Sequence, residues 1–250
     1  TQRYLGAKAV TANSAAITVR NAITARPDHT LISADFQQIE ARLISHFAND
    51  PGLIGAFAQE DFFTAVAREL HQDPTITKAD DRRQWAKNGI YALGYGAGAE
   101  KIAITTGQTL EAVYTFLAAL ELRYPGIKRF QREVANVATQ RKATEGVAYI
   151  RSPLTNRRQV ADDRKEYALV NFLVQMTAAE FFKMKLIELD AAGVGEYMIL
   201  AVHDEAIADT PNDLVDDVTH TTRTIMTDTT TFRVPIESDV AQAFRWGELK

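Results

Sequence analysis

The stretch Thr30-Leu31-Ile32-Ser33-Ala34-Asp35-Phe36-Gln37-Gln38-Ile39-Glu40-Ala41-Arg42-Leu43-Ile44 changes its period halfway along. Thr30 to Phe36 is a short, largely apolar run with β-branched members, which predicts a strand. From Gln38 onward, Ile39, Leu43, Ile44 and Phe47 recur at helical spacing, and Asn49-Asp50-Pro51-Gly52 stops that helix. An acidic residue, Asp35, thus falls where a strand hands over to a helix. A second acidic position is expected at a hairpin tip. Tyr197 to Val202 reads as an apolar strand, His203-Asp204 as the turn, and Glu205 to Asp209 as the return strand.

Between these two points the pattern is mostly helical. Helices are predicted over 61–70, 78–95, 110–123, 127–144 and 164–189, with Gly96 and Gly98 closing the second and Ala192-Gly193 the last. A short strand is expected at 147–150, followed by a basic turn at Arg157-Arg158. After the hairpin come a helix over 211–227 and a last strand over 231–240, and the first thirty residues read as irregular. Helices in runs together with hairpin-linked strands predict an α+β fold.

The 250 residues carry a formal net charge of -4, with 46% hydrophobic and 24% charged residues, the balance of an ordinary globular chain. There is no cysteine, which excludes disulfides and thiolate metal sites. No apolar run approaches the roughly 20 residues that span a bilayer, and Thr1 to Leu5 shows no signal-peptide pattern, so the expected setting is cytoplasmic, without a membrane. The chain lacks an initiator Met and reads as a candidate fragment. A net negative charge is not the usual footprint of a nucleic-acid binder. The basic residues nevertheless cluster, at Lys78, Arg82, Arg83 and Lys87 and again at Arg151, Arg157, Arg158, Arg164 and Lys165. Such clusters also occur on plain solvated surfaces.

Two features point to phosphate chemistry. Asp35 and Asp204 are separated by 169 positions, yet both fall at strand ends, with Glu205 beside the second. Two strand-end carboxylates on one sheet can hold a pair of hard divalent ions, which is what transfer of a nucleotidyl group benefits from. Each aspartate also has an ordinary reading, Asp35 as a helix cap and Asp204 as a turn residue. The second feature is the series Arg83, Lys87, Tyr91 and Tyr95, spaced by four and followed by Gly96. On a helix these lie along one face, two cations and then two aromatics, suited to a triphosphate and a base. Ile90 and Leu93 fall on other faces and are expected in the core.

Three ordered elements resemble family A DNA polymerases. Asp35-Phe36-Gln37-Gln38-Ile39-Glu40-Ala41-Arg42 is similar to that family's Asp-Tyr-Ser-Gln-Ile-Glu-x-Arg. Arg83-x3-Lys87-x3-Tyr91-x3-Tyr95-Gly96 looks like its fingers helix, and Val202-His203-Asp204-Glu205 like its second acidic hairpin. The resemblance runs from about Arg20 to Trp246. It implies a palm with an antiparallel sheet plus helical fingers, with palm from 1–50 and 146–250 and fingers from 51–145. It implies template-directed transfer of dNTPs to a primer 3′-OH, on primer-template DNA, with two Mg2+ ions for which Mn2+ can substitute. Thumb and exonuclease segments are absent from this stretch, and are expected from a longer parent, from a processivity partner, or not at all.

Carried across, the resemblance makes Asp35 and Asp204 the metal ligands and Glu205 a support. Arg83 and Lys87 grip the triphosphate, with Lys87 protonating the leaving pyrophosphate. Tyr91 stacks on the incoming nucleotide, Gln38 lines its site, and Glu40 excludes a 2′-hydroxyl. Tyr95 and Gly96 shape the template-base pocket. Asn171 and Gln175 contact the duplex, His203 lies near the primer end, and Arg3 is a further duplex candidate without the surrounding family pattern. Two departures stand out. Asp61-Phe62-Phe63-Thr64 carries Phe63 where the family often has a His that touches the triphosphate, and Tyr167 replaces a usual Arg. Two alternatives remain open, a non-catalytic nucleic-acid-binding relative and a single-subunit RNA polymerase-like enzyme. Glu40 favours deoxynucleotides over the latter.

Overall fold

The computed structural model describes residues 19–59, 61–95, 98–162 and 166–249. They fall into two compact units. One comprises the described parts of 1–37, 182–228 and 237–250, and the other 38–181 and 229–236.

The first unit is built on a four-stranded antiparallel sheet. Its strands are β1 (His29–Phe36), β4 (Met198–Val202), β5 (Glu205–Pro211) and β6 (Ser238–Ala243), in the order β4-β5-β1-β6. Leu31, Ile32, Ser33 and Ala34 are all buried, so β1 is covered on both faces, as a central strand should be. Alternation then sorts the side chains. Ile32, Ala206 and Ala208 meet Leu189, Val194, Met198 and Thr222 on one face. Thr222 comes from α10 (Val215–Met226), and Phe36 packs edge-to-face on Phe182 of α9 (Leu169–Ala191). The opposite face carries a smaller apolar cluster of Ala25, Leu31, Ile207, Trp246 and Leu249, and a short helix α1 (Val19–Ala22) in the stretch expected to be irregular packs on the turn that holds Trp246.

The second unit is helical: α2 (Ile39–Ala48), α3 (Pro51–Ala56), α4 (Phe62–His71), α5 (Asp81–Gly94), α6 (Ala99–Thr106), α7 (Leu110–Arg123), α8 (Pro125–Glu145) and the first half of α9. A two-stranded hairpin of β2 (Tyr149–Arg151) and β3 (Arg158–Val160) joins them. Asn49 ends α2 in the left-handed region, and Asp50 caps α3 by accepting from Gly52 and Leu53 N–H. The same carboxylate accepts from Gly126 N–H of α8, where an added Cβ would lie 2.6 Å from the Ala48 carbonyl oxygen. Only glycine allows that close approach. Asp61 and Asp80 cap α4 and α5 in the same manner. Among the described residues no helix is long and apolar enough to cross a membrane.

Several sequence expectations need correction. The last strand is shorter than 231–240: it starts at Ser238, and 229–236 belongs to the helical unit. The Arg157-Arg158 turn gives way directly to β3, and α6 occupies a stretch for which no element was expected. The helix expected from Arg164 begins at Leu169, after one 3-10 turn at Glu166–Ala168.

Candidate functional site

In the sheet unit, strand pairing brings the acidic positions to one end. Asp35 lies directly opposite Glu205 on β5 and opposite Asp239 on β6. Asp204 immediately precedes Glu205 in the turn from β4, so the Asp35 and Asp204 backbones are within about 9 Å of one another. Neither aspartate caps a helix: the residue before α2 is Gln38, in the left-handed region at φ 55. His203 adopts φ 58 at the hairpin tip. His203, next to Asp204, is thus a non-glycine residue in a sparsely populated region, backbone strain of the kind that collects at functional sites.

Glu205 differs from its neighbours. It is 3% exposed. Ser33 Oγ donates to its Oε1 at 2.7 Å, Trp246 Nε1 donates to the same oxygen at 3.0 Å, and Arg20 Nη2 lies 3.3 Å from Oε2. Arg20 also sits over the Trp246 ring, 4.3 Å from its centroid. A buried carboxylate with such partners is satisfied from within the protein. Asp239 accepts from Gln37 Nε2 at 2.7 Å.

The donor set fits hard cations. The available groups are carboxylate oxygens, and no group of three or more His, Cys, Asp or Glu among the described residues is placed to hold a metal by itself. Magnesium does not require one, since it keeps water and substrate phosphate in its shell. Asp35 and Asp204 are the residues that would hold it.

In the helical unit the α5 stripe forms as its spacing predicts. Ala86, Gly89, Ile90 and Leu93 are buried, while Arg83, Lys87, Tyr91 and Tyr95 are partly exposed. Phe63 of α4 lies against this stripe, with Arg83 5.8 Å, Lys87 5.9 Å and Tyr91 5.6 Å from its ring centre. The residue that departs from the family pattern therefore supplies an aromatic surface in place of a polar contact. Asp61 grips Arg83 through both Nε and Nη2, at 2.7 and 2.9 Å. Burial opposes a charge on Asp61, but the bonds from Arg83 and Thr64 outweigh it and hold its carboxyl far below the usual range. Both bonds from Arg83 to Asp61 use Nε and Nη2 and leave Nη1 outside this ion pair.

Tyr91 and Tyr95 stack at 5.9 Å, and the Tyr95 hydroxyl donates to Glu40. Burial, and then this bond, push the Tyr95 phenol far above its ordinary 10, so it stays a neutral donor. Gln38 Oε1 and Asn171 Oδ1 are buried acceptors with no hydrogen-bond partner. Among the described residues, Arg20 Nη1, Thr210 Oγ1 and Thr222 Oγ1 are also buried without a partner. Gln175 is exposed one turn beyond Asn171 on α9.

The expected residues thus divide. Asp35, His203, Asp204 and Glu205 belong to the sheet unit, and Gln38, Glu40, Arg83, Lys87, Tyr91, Tyr95, Asn171 and Gln175 to the helical one. Arg3 and Gly96 lie outside the described residues, as do Arg164 and Lys165. Sequence reasoning missed Arg20, Ser33 and Trp246 around Glu205, and Asp61 as the partner of Arg83. Ser33 alone carried a signal, two positions before Asp35 on the same strand face.

Known proteins resemble this chain in sequence and fold. The DNA polymerase of Mycobacterium phage D29 is 33% identical over 195 residues, covering 78% of this chain and 31% of that protein. DNA polymerase I of Deinococcus radiodurans is 28% identical over 240 residues, 93% of this chain and 25% of that protein. The chain therefore spans about a quarter to a third of these relatives. Among solved structures, the POL domain of Pol1 from M. smegmatis, in complex with DNA primer-template and dNTP, superposes with a TM-score of 0.80. The match has 25% identity and covers 92% of this chain and 42% of that one. The family model described as DNA polymerase family A matches residues 9–248, which takes in the paired acidic strand ends and the α5 stripe alike, and the chain belongs to that family.

Proposed function

We propose that this chain is the palm-and-fingers portion of a template-directed DNA polymerase that transfers dNTPs to a primer 3′-OH, with residues 51–145 as fingers and the flanking segments as palm. The observation that carries the reading is the β1–β5 register, which sets Asp35 opposite Glu205 and therefore close to Asp204.

Asp35 and Asp204 supply oxygen ligands. Bound there, two magnesium ions, or manganese in their place, would activate the attacking hydroxyl and steady the leaving group. Arg83, oriented by Asp61, and Lys87 hold the triphosphate, and Lys87 gives its proton to the departing pyrophosphate. Tyr91 stacks on the base or sugar. Glu40, fixed by Tyr95, occupies the space a 2′-hydroxyl would need, which selects deoxynucleotides and disfavours the RNA polymerase-like alternative. Gln38 and Asn171 offer their unpartnered oxygens to nucleotide and duplex, Gln175 adds a second duplex contact, and His203 lies beside the primer end.

The test is extension of a labelled primer on a DNA template in magnesium, with Asp204→Ala as control. Extension by the unmodified chain alone is expected. No extension even at high protein concentration would leave a non-catalytic, nucleic-acid-binding relative as the better account.

A further inference from the structure

The carboxylate of Glu205 is adjacent to one expected metal ligand, Asp204, and opposite the other, Asp35. It would serve as a third ligand only if its oxygens were available. They are instead taken up from three separate segments: Ser33 on β1, Trp246 near the end of the chain, and Arg20 beyond the start of the sheet. Trp246 is 6% exposed and belongs to the apolar cluster under this face with Leu31 and Ile207. Its indole is therefore held in place by packing before it donates. Arg20 lies between the two, over the indole ring and beside the carboxylate.

We propose that Trp246, with Ser33 and Arg20, is a positioning residue for metal binding. By holding Glu205 from below, it fixes the turn that carries Asp204 next to the end of β1 that carries Asp35. Glu205 then acts through its anchorage and does not contact the metal. The physical reason is mechanical. His203 sits in the left-handed region at the tip, which most side chains disfavour. A turn of this kind keeps its shape only if its neighbours hold it. Glu205 is the first residue of β5, and a buried, triply held carboxylate there prevents the tip from relaxing. This inference rests on the polymerase reading for the role of Asp35 and Asp204, but it concerns the binding of the ion, which can be read without turnover.

The experiment is a titration of the full chain with Mn2+, followed by spin resonance of the free ion, for the unmodified protein, Trp246→Phe and Ser33→Ala. Trp246→Phe keeps an aromatic ring in the cluster and removes the N–H together with part of the indole's buried volume, so its stability is measured alongside. Ser33→Ala removes the other neutral donor with little change in volume and carries the test alone if the first variant does not fold. Loss of support to a ligand's neighbour should weaken Mn2+ affinity by about tenfold. In primer extension, the half-saturating Mg2+ concentration should rise while the KM for dNTP stays unchanged, a split that general destabilisation would not produce. Folded variants with unaltered Mn2+ affinity would overturn the inference, as would an unmodified chain that takes up no Mn2+. Failure of primer extension with normal Mn2+ uptake and weakened uptake in the variants would instead sink the polymerase reading and leave this one standing.

Discussion

At the acidic end of the sheet, residues from β1, β5, the hairpin tip and the chain's last turn meet because strands pair. On α5 and its C-cap, Arg83, Lys87, Tyr91 and Tyr95 line up at one-turn spacing, and a single neighbouring helix and its cap supply Asp61 and Phe63 beneath them. The first arrangement depends on registers set over 170 or more positions, as in Ser33 with Glu205 at a separation of 172. The second depends on spacing within fourteen residues of helix and on one ion pair. Carboxylates brought together repel unless a cation or hydrogen bonds compensate them. Cations on a helix face can wait in partial contact with solvent. The sheet end should therefore be intolerant of change and the helix stripe graded in its response.

The largest effect should come from the sheet end. Asp35→Ala or Asp204→Ala should reduce primer extension to background. Both side chains are partly exposed, so thermal unfolding should stay near that of the unmodified chain. A residual rate comparable to the unmodified one would break the comparison, since it would make these carboxylates dispensable. Next comes the stripe: Lys87→Ala should lower kcat by ~100-fold, as expected for loss of a general acid. Glu40→Ala should raise ribonucleotide incorporation, measured as the ratio of kcat/KM for the two sugars. It should also leave the half-buried Tyr95 hydroxyl without its acceptor, at a cost of about 1–3 kcal/mol. Unchanged sugar discrimination would remove Glu40 from its assigned role. Asp61→Asn keeps the shape and removes the charge, and a KM for dNTP raised by several-fold is expected because Arg83 loses its orientation. A KM that falls would mean that Asp61 competes with the triphosphate for the guanidinium.

How much of this was legible in sequence follows the same division. The stripe and its buried Ile90 and Leu93 could be read, because each is a local pattern. The strand ends at Asp35 and Asp204 could be read too, but not which partners surround them. Nothing near Glu205 in sequence announces Trp246, 41 positions on. The overlong last strand has a specific cause. Phe232, Val234 and Ile236 alternate with exposed residues, which is the period of a strand. Their buried side chains serve the helical unit, where Phe232 packs on His46 and Phe181, and regular strand structure begins only at Ser238. Alternation reports an extended backbone with one buried side, and it does not report hydrogen bonding to a neighbour.

The smallest effect concerns that same segment and separates the two regions by pH. His46 lies between Phe47 and Phe232, and its Nδ1 accepts from Arg233 N–H. Burial, and then the Arg233 charge, push the imidazole down from 6.5 to about 4. The folded chain therefore keeps His46 neutral at a pH where the unfolded chain protonates it. Above the unfolded value near 6.5 this costs nothing. As pH falls from 6.5 towards 4 the unfolded state gains protons that the folded state refuses, and stability declines. At pH 5 the loss is at most about 2 kcal/mol, less for whatever water reaches the half-buried ring. Melting measured between pH 7 and pH 5 should thus fall by a few degrees in the unmodified chain. In His46→Phe it should start lower, because Arg233 N–H loses its acceptor, and then change less across the same interval. Equal slopes for the two proteins would place the acid sensitivity elsewhere.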